Sequence, residues 1–334
     1  MEGRRRALPL RVAILAFDGC LTSVVTGVVD AFRIASECAR ARGRGPADAF
    51  EVTVVTASLS PVHGSSGFAI PAAALADAGR IDVAIVPPIA GPVREIVASN
   101  PAVVSWLRGA RGTVVASVCT GAFFLAEAQL LAGHRATVNP LYAEQFRRAY
   151  ANVELAPEER IIDRGRVLCA GSTTAFLDLV VYLVDRFAGH EIAVMTAKTL
   201  CMDMTHRSQL PYFVYVGPKD HGDDGVLGLQ TWLENNCHRP ITASALAKRG
   251  GMSQRSLNRR FRTATGMAPL DYLHRLRTEL AKRLLETSNL PIEQVTSRVG
   301  YEDSRSFSRL FRSLVGLSPR EYRLRFGAQP ALLA

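Results

Sequence analysis

A chain of 334 residues that is 48% apolar is long enough for two domains with real cores. No apolar run in it reaches the roughly 20 residues of a membrane-spanning helix, and its six cysteines, scattered without a CxxC pair, exclude a zinc ribbon and a disulfide framework. The formal net charge of +10 is uneven: residues 225–334 hold 18 Lys/Arg against 8 Asp/Glu, whereas residues 1–224 hold 22 of each. A neutral part joined to a basic one is the electrostatic footprint of a protein that reads a polyanion.

The N-terminal MEGRRRALPLRVAILAF briefly imitates a signal peptide, but Arg11 interrupts its apolar stretch, Asp18 closes it and no small-residue cleavage site follows. The expectation is a cytoplasmic chain whose first buried strand is Val12–Phe17. Further short Val/Ile-rich strands are expected at residues 50–57, 81–87 and 113–119, beside the first at 11–17. Helices are expected between them at Val25–Arg40, Val93–Arg108 and Ala122–Leu131. Continuous apolar strands separated by helices indicate a parallel sheet covered on both faces. Residues 158–170 look like a hairpin around Asp163-Arg164-Gly165, and helices near Thr173–Ala188 and Glu191–Met202 complete an α/β sandwich. The first domain is thus placed at 10–203. A Pro/Gly-rich, charged stretch marks a linker at 204–225, where few contacts are expected.

Within this domain the sequence ASVCTGAFFLAEAQLLAG (116–133) ends a strand at Cys119 and begins a helix at once. Such a strand-turn-helix elbow lifts one side chain above the sheet edge, beside helical N–H groups. A thiol placed so is expected to face a pocket with a lowered pKa; the bland alternative is a buried small hydrophobe.

Residues 226–326 carry one helix-turn-helix pattern twice. The first copy runs from Leu246 to Arg277 and the second from Val295 to Phe326. At an offset of 50 the pairs Arg255/Arg305, Ser256/Ser306, Arg259/Arg309, Phe261/Phe311, Arg262/Arg312, Gly266/Gly316, Pro269/Pro319, Tyr272/Tyr322 and Arg275/Arg325 are identical. The turn glycines Gly251 and Gly300 are offset by 49. Tandem units of this kind have few uses besides reading two nearby segments of a duplex. Thr242 and Ser253 are expected to cap the two helices of the first unit. Along its recognition helix Leu257 and Phe261 face inward, leaving Gln254, Arg255, Asn258, Arg259 and Arg262 outward. In the second unit Phe307 and Phe311 face inward, and Asp303, Ser304, Arg305, Ser308 and Arg309 outward. Arg can fork to guanine and Asn can pair with adenine, so these faces suit a major groove. Lys248, Arg260 and Arg312 are expected to touch only phosphates, and Tyr272 and Tyr322 to pack in cores. A joining helix over Leu270–Thr287 would span on the order of 27 Å, close to the ~34 Å of one duplex turn.

The elbow SVCTGAF, the strand before it and AGSTTAFLDL (170–179) together resemble the ThiJ/PfpI branch of the class I glutamine amidotransferase-like fold. The C-terminal pair, closing in LSPREYR (317–323), resembles the AraC/XylS regulators. The combination, over residues 10–326, resembles the GlxA-like transcription regulators. It implies a flavodoxin-like parallel-sheet sandwich followed by an all-α domain with two helix-turn-helix motifs. In enzymes of this superfamily the elbow cysteine works with a histidine, an acidic group and an N–H that holds an oxyanion. Here Asn139 stands at the histidine's place, Val24 at the acid's, and Pro88 where a glycine N–H would be; an amide cannot act as a base near neutral pH.

The expected protein is a sequence-specific, non-catalytic transcription regulator with no metal and no cofactor. Its partners would be double-stranded DNA, an unidentified small-molecule effector, RNA polymerase and a second copy of itself, and no membrane. The resemblance implies activation more often than repression. The candidate ligand pocket comprises Cys119, Thr120, Gly121, Asp18 and Asn139. The competing expectations are a bifunctional regulator with residual Cys119-dependent hydrolase, amidase or glyoxalase-like activity, and a purely structural dimerisation domain.

Overall fold

The computed structural model describes residues 9–43, 49–57, 61–204 and 208–328, so the arginines at positions 4–6 and the linker positions 205–207 lie outside the described residues. The chain divides into two compact units between Gln209 and Leu210.

The first unit opens with strand β1 (Leu10–Ala16), helix α1 (Thr22–Ala41) and strand β2 (Phe50–Thr56). Helix α1 forms because Val24, Val25, Val28, Ala31, Phe32 and Ala35 recur at helical spacing and are all buried against the sheet. A short strand β3 (Ala73–Ala74) and a wholly buried strand β4 (Val83–Val86) follow. The single helix expected over Val93–Arg108 is two, α2 (Val93–Ser99) and α3 (Pro101–Gly109). Pro101 lacks the N–H a continuing helix needs, and it drives Asn100 out of helical geometry.

Strand β5 (Val114–Val118) leads through a one-turn 3₁₀ helix, Cys119–Gly121, into α4 (Ala122–Glu127). Helix α4 stops four residues short of the expected Leu131, with Gln129 in a left-handed conformation. Helix α5 (Ala143–Ala149) was not foreseen, nor were two short strand pairs, Val62–His63 with Ala69–Ile70 and Arg135–Ala136 with Glu154–Leu155. The hairpin of β6 (Ile161–Asp163) and β7 (Val167–Ala170) stands where the sequence placed it, followed by α6 (Ala175–Ala188) and α7 (His190–Thr199).

The seven strands form one sheet in the order β6-β7-β5-β4-β1-β2-β3. Every neighbouring pair is parallel except β6 with β7. Val12 sits opposite both Val52 and Val83, so apolar side chains run in rows across the sheet and helices cover both faces. This is the doubly wound α/β arrangement, whose ligand-bearing edge lies at the carboxyl ends of the strands.

The stretch read as a contact-poor linker is tied down on both sides of the division. Gln209, 1% exposed, donates its amide to Thr137 Oγ1 (3.3 Å), the Val138 carbonyl (3.3 Å) and the Pro157 carbonyl (2.5 Å) inside the first unit. Within the second unit Lys282 Nζ donates to the Phe213 carbonyl, and the Tyr215 ring meets Tyr272 edge-on at 5.7 Å. The Pro and Gly content concealed the anchoring carbonyl of Phe213 and ring of Tyr215.

The second unit is helical: α8 (Asp224–Asn236), α9 (Ala243–Arg249), α10 (Gln254–Thr265), α11 (Pro269–Thr287), α12 (Ile292–Arg298), α13 (Ser304–Val315) and α14 (Pro319–Phe326). It has two small cores. One gathers Val226, Leu229, Leu233, Leu246, Leu257, Phe261 and Tyr272. The other gathers Ala281, Leu285, Val295, Val299, Phe307, Phe311, Val315 and Tyr322. Helix α11 contributes to both, its first half to one and its second half to the other. No helix among the described residues is long and apolar enough to cross a membrane.

Candidate nucleic-acid interface and thiol elbow

Each helix-turn-helix head is assembled by its caps and its apolar stripe. Thr242 Oγ1 accepts the Ala245 N–H (3.1 Å) at the start of α9, and Ser253 Oγ accepts the Ser256 N–H (3.2 Å) at the start of α10. Helices α10 and α13 both end on a left-handed glycine, Gly266 and Gly316. Leu257 and Phe261 on α10, and Phe307 and Phe311 on α13, are fully buried. Their spacing fixes which side of each helix is left for solvent.

On that outer side of α10, Gln254, Arg255, Arg259 and Arg262 are exposed and Asn258 is half-buried. On α13, Arg305 and Arg309 are exposed, and Ser304 and Ser308 are half-buried. Arg309 Nη2 rests on Ser306 Oγ at 3.1 Å, and Ser304 Oγ lies 3.4 Å from Thr296 Oγ1.

Two of the expected contact residues hold partners within the unit. Asp303 precedes α13 rather than lying on its face, and its carboxylate accepts the N–H groups of Arg305 (3.3 Å) and Ser306 (2.8 Å). The Ser306 hydroxyl and these two N–H groups hold its pKa below the usual range, so Asp303 serves as the N-cap of α13. Arg260, expected to touch phosphate, instead forks onto Asp223 at 2.9 and 2.6 Å. Asp223 also caps α8 through the Val226 N–H (3.0 Å). Arg260 and this N–H together bring the Asp223 carboxyl down to about 2. Sequence reading missed this tie, which joins residues 37 apart; its one visible signal was an aspartate before a helix.

In the first unit, β5 delivers Cys119 into the left-handed region at φ +53, a conformation that costs an L-residue about 1–2 kcal/mol. Gly121 follows because nothing larger fits: a Cβ there would lie 2.5 Å from the Val86 carbonyl oxygen and 2.8 Å from that of Pro87. Thr120 Oγ1 accepts the Ile89 N–H (2.8 Å) and donates to the Ile89 carbonyl (3.2 Å). The turn is thereby stitched to the segment after β4.

Around the thiol, Thr173 Oγ1 donates to Cys119 Sγ at 3.8 Å, and Asn139 is a further hydrogen-bonding neighbour. Asn139 Oδ1 also accepts the Leu141 N–H (3.0 Å). Cys119, Thr120, Gly121 and Asn139 thus come together, with Thr173 as a member not singled out from sequence although it lies in AGSTTAF. Asp18 is not among the thiol's polar neighbours; its carboxylate accepts the His63 N–H (2.8 Å). The expected lowering of the Cys119 pKa is overturned. The residue is 4% exposed, and burial pushes the thiol up more strongly than its hydrogen bonds bring it down. The short α4, of six residues, does not offset that. Val24 is fully buried in the core, and the polar groups around Sγ are two hydroxyls, a backbone amide and a carboxamide. None can act as a base near neutral pH. No group of acidic, histidine and cysteine side chains among the described residues is arranged to hold a metal.

Comparison with known proteins agrees with both halves. The DJ-1/PfpI family profile matches residues 10–186, and a helix-turn-helix domain profile matches residues 246–325. The HTH-type transcriptional regulator CdhR of Pseudomonas aeruginosa is 30% identical over 280 residues, covering 81% of this chain and 81% of the relative. The HTH-type transcriptional regulator GlxA of Rhizobium meliloti is 25% identical over 191 residues, covering 57% of this chain and 59% of the relative. A Vibrio parahaemolyticus protein solved as a transcriptional regulator shares the fold of 58% of this chain over all of its own, at 22% identity and a TM-score of 0.51.

Proposed function

The chain belongs to the DJ-1/PfpI family, and from that premise we propose that its α/β unit senses a small metabolite without chemistry and passes its occupancy to the DNA-reading unit. The chain is a helix-turn-helix transcription regulator of the AraC type. The finer reading is that α10 and α13 enter successive major grooves on one side of the duplex. Helix α11, of 19 residues, spans about 28 Å at ~1.5 Å per residue, against ~34 Å per duplex turn. Gln254, Arg255, Asn258, Arg259 and Arg262 then face one segment, and Ser304, Arg305, Ser308 and Arg309 the other. The protein would work in the cytoplasm, where DNA and RNA polymerase are, as a dimer paired through its α/β units.

The observation that carries the sensor reading is the elbow itself. Cys119 keeps a strained conformation while hydroxyls and a carboxamide surround its thiol. Thr120 is committed to Ile89, which leaves the half-buried Thr173 hydroxyl and Asn139 carboxamide as the groups for a neutral polar ligand, and no proton acceptor for turnover.

The test is a thermal-shift screen of the full chain against metabolites, followed by DNA binding with each hit. A ligand at 100 times its dissociation constant stabilises by ~2.7 kcal/mol, and a true effector also changes DNA affinity. Hits that stabilise the protein and leave DNA affinity unchanged would reject the sensor reading. Turnover abolished by Cys119→Ala would reject the non-catalytic one.

A further inference from the structure

The two heads repeat the same order of helices, but their turns are packed differently. Gly251, in the first head, has φ +63, and a Cβ added there would meet nothing within 4 Å. Gly300, its counterpart, has φ +88, and a Cβ there would lie 2.7 Å from the His238 carbonyl oxygen and 2.9 Å from an Arg277 nitrogen. The turn of the second head is therefore pressed against the chain leaving α8 in the first.

Arg277, near the middle of α11 and 6% exposed, closes this junction. Its Nε donates to the Cys237 carbonyl (2.8 Å) and its Nη2 to the Arg239 carbonyl (2.8 Å), both in the first head. The central carbon of its guanidinium lies over the ring of Tyr301, in the second head, 4.8 Å from the ring centre. The Tyr301 hydroxyl is 2.6 Å from His274 Nδ1, with the two rings inclined by only 16°. A planar guanidinium can bond two carbonyls through its edge while stacking an aromatic through its face; a lysine cannot. Burying the charge is costly unless those partners stay in place, so the arrangement resists sliding or rotation of one head on the other.

We propose that Arg277, Tyr301 and Gly300 form a clamp that fixes the distance and phase of the two recognition helices, and so sets the one spacing of DNA segments that the protein accepts. These are positioning residues: none needs to touch DNA. The inference rests on the reading that both heads engage the duplex.

The experiment uses the full-length protein and selection from random-sequence duplexes. The unaltered protein should enrich two short segments at a single spacing. Inserting one base pair between them turns the second segment by about 35° and should weaken binding at least about tenfold, the loss expected when one head is denied its contacts. In Arg277→Lys and Tyr301→Leu the penalty for the insertion should shrink to less than about threefold. A merely structural role would weaken both duplexes equally and leave that ratio unchanged. A folded variant that keeps the full penalty overturns the clamp, as does an unaltered protein that tolerates the insertion. If a variant loses its helical circular dichroism, the insertion series on the unaltered protein decides alone. Enrichment of a single segment would instead reject two-headed reading, an outcome distinct from two segments at unrestricted spacing.

Discussion

Tyr322 donates its phenolic proton to Glu286 Oε1 across 2.6 Å, joining the last helix of the second head to the end of α11. The first head makes the same bond from Tyr272 to Glu234, at 3.0 Å. Burial and the adjacent carboxylate both disfavour the phenolate, so each phenol is pushed well above its ordinary value. These tyrosines are core parts, as their sequence pattern suggested, and the bond explains why phenylalanine would not serve equally. Tyr322→Phe should lower stability by about 1–2 kcal/mol, read by urea denaturation of the full chain. An unchanged transition midpoint would show that the bond contributes nothing.

Arg259 and Arg309 occupy equivalent positions on the two recognition helices. Replacing either by alanine should cost about 1–3 kcal/mol of DNA binding if it contacts a base. Footprinting should place the two losses in separate segments about one helical turn apart. Losses confined to a single segment would leave one head without a reading role.

Asp223 is held at about 2 by Arg260 and by the cap it makes on α8. A carboxyl depressed in the folded state adds stability above its unfolded value of ~3.9 and loses it as the pH falls through the folded value. Asp223→Asn keeps an acceptor for the cap and removes the charge. The stability advantage of the native protein over this variant should therefore be level above about pH 5 and vanish towards about pH 2. An advantage that grew on acidification would contradict the assignment.

Cys201 is the exposed one of the six cysteines, while Cys119 is buried with a raised pKa. A mild alkylating reagent at neutral pH should modify Cys201 first and leave Cys119 intact until the protein unfolds. Peptide mapping after short exposure checks the order. Early modification of Cys119 would mean that the elbow opens readily in solution.

The repeated head was legible because the same helical period and the same turn residues occur twice, and the parallel sheet because Val/Ile runs alternate with amphipathic stretches. What escaped depended on distance in the chain. Nothing local in Asp223 announces Arg260, nor in Asp18 its bond to His63. The thiol's burial is equally a property of the surrounding fold. The proximity of Asn139 to Cys119 came from a family resemblance and not from any local pattern. The break at Pro101 was the opposite case: the local signal was present, and the longer apolar period outweighed it in the reading. At the start of the second unit, proline and glycine suggest open chain, whereas the Phe213 carbonyl and the Tyr215 ring are both held by α11.

The difference between Gly251 and Gly300 bears on modularity. Two copies that share a core, a cap position and a tyrosine–glutamate bond invite the idea of interchangeable parts. At the turn of the first head a Cβ on Gly251 would meet nothing within 4 Å, so no other part of the chain packs against that point. The second head is keyed to its place: its turn glycine fits against His238, and its tyrosine completes a stack begun on α11. A chimera that altered only the turn at Gly251 would leave the gauge between the two untouched, and one that swapped either whole head would have to carry Arg277, Tyr301 and the end of α8 together.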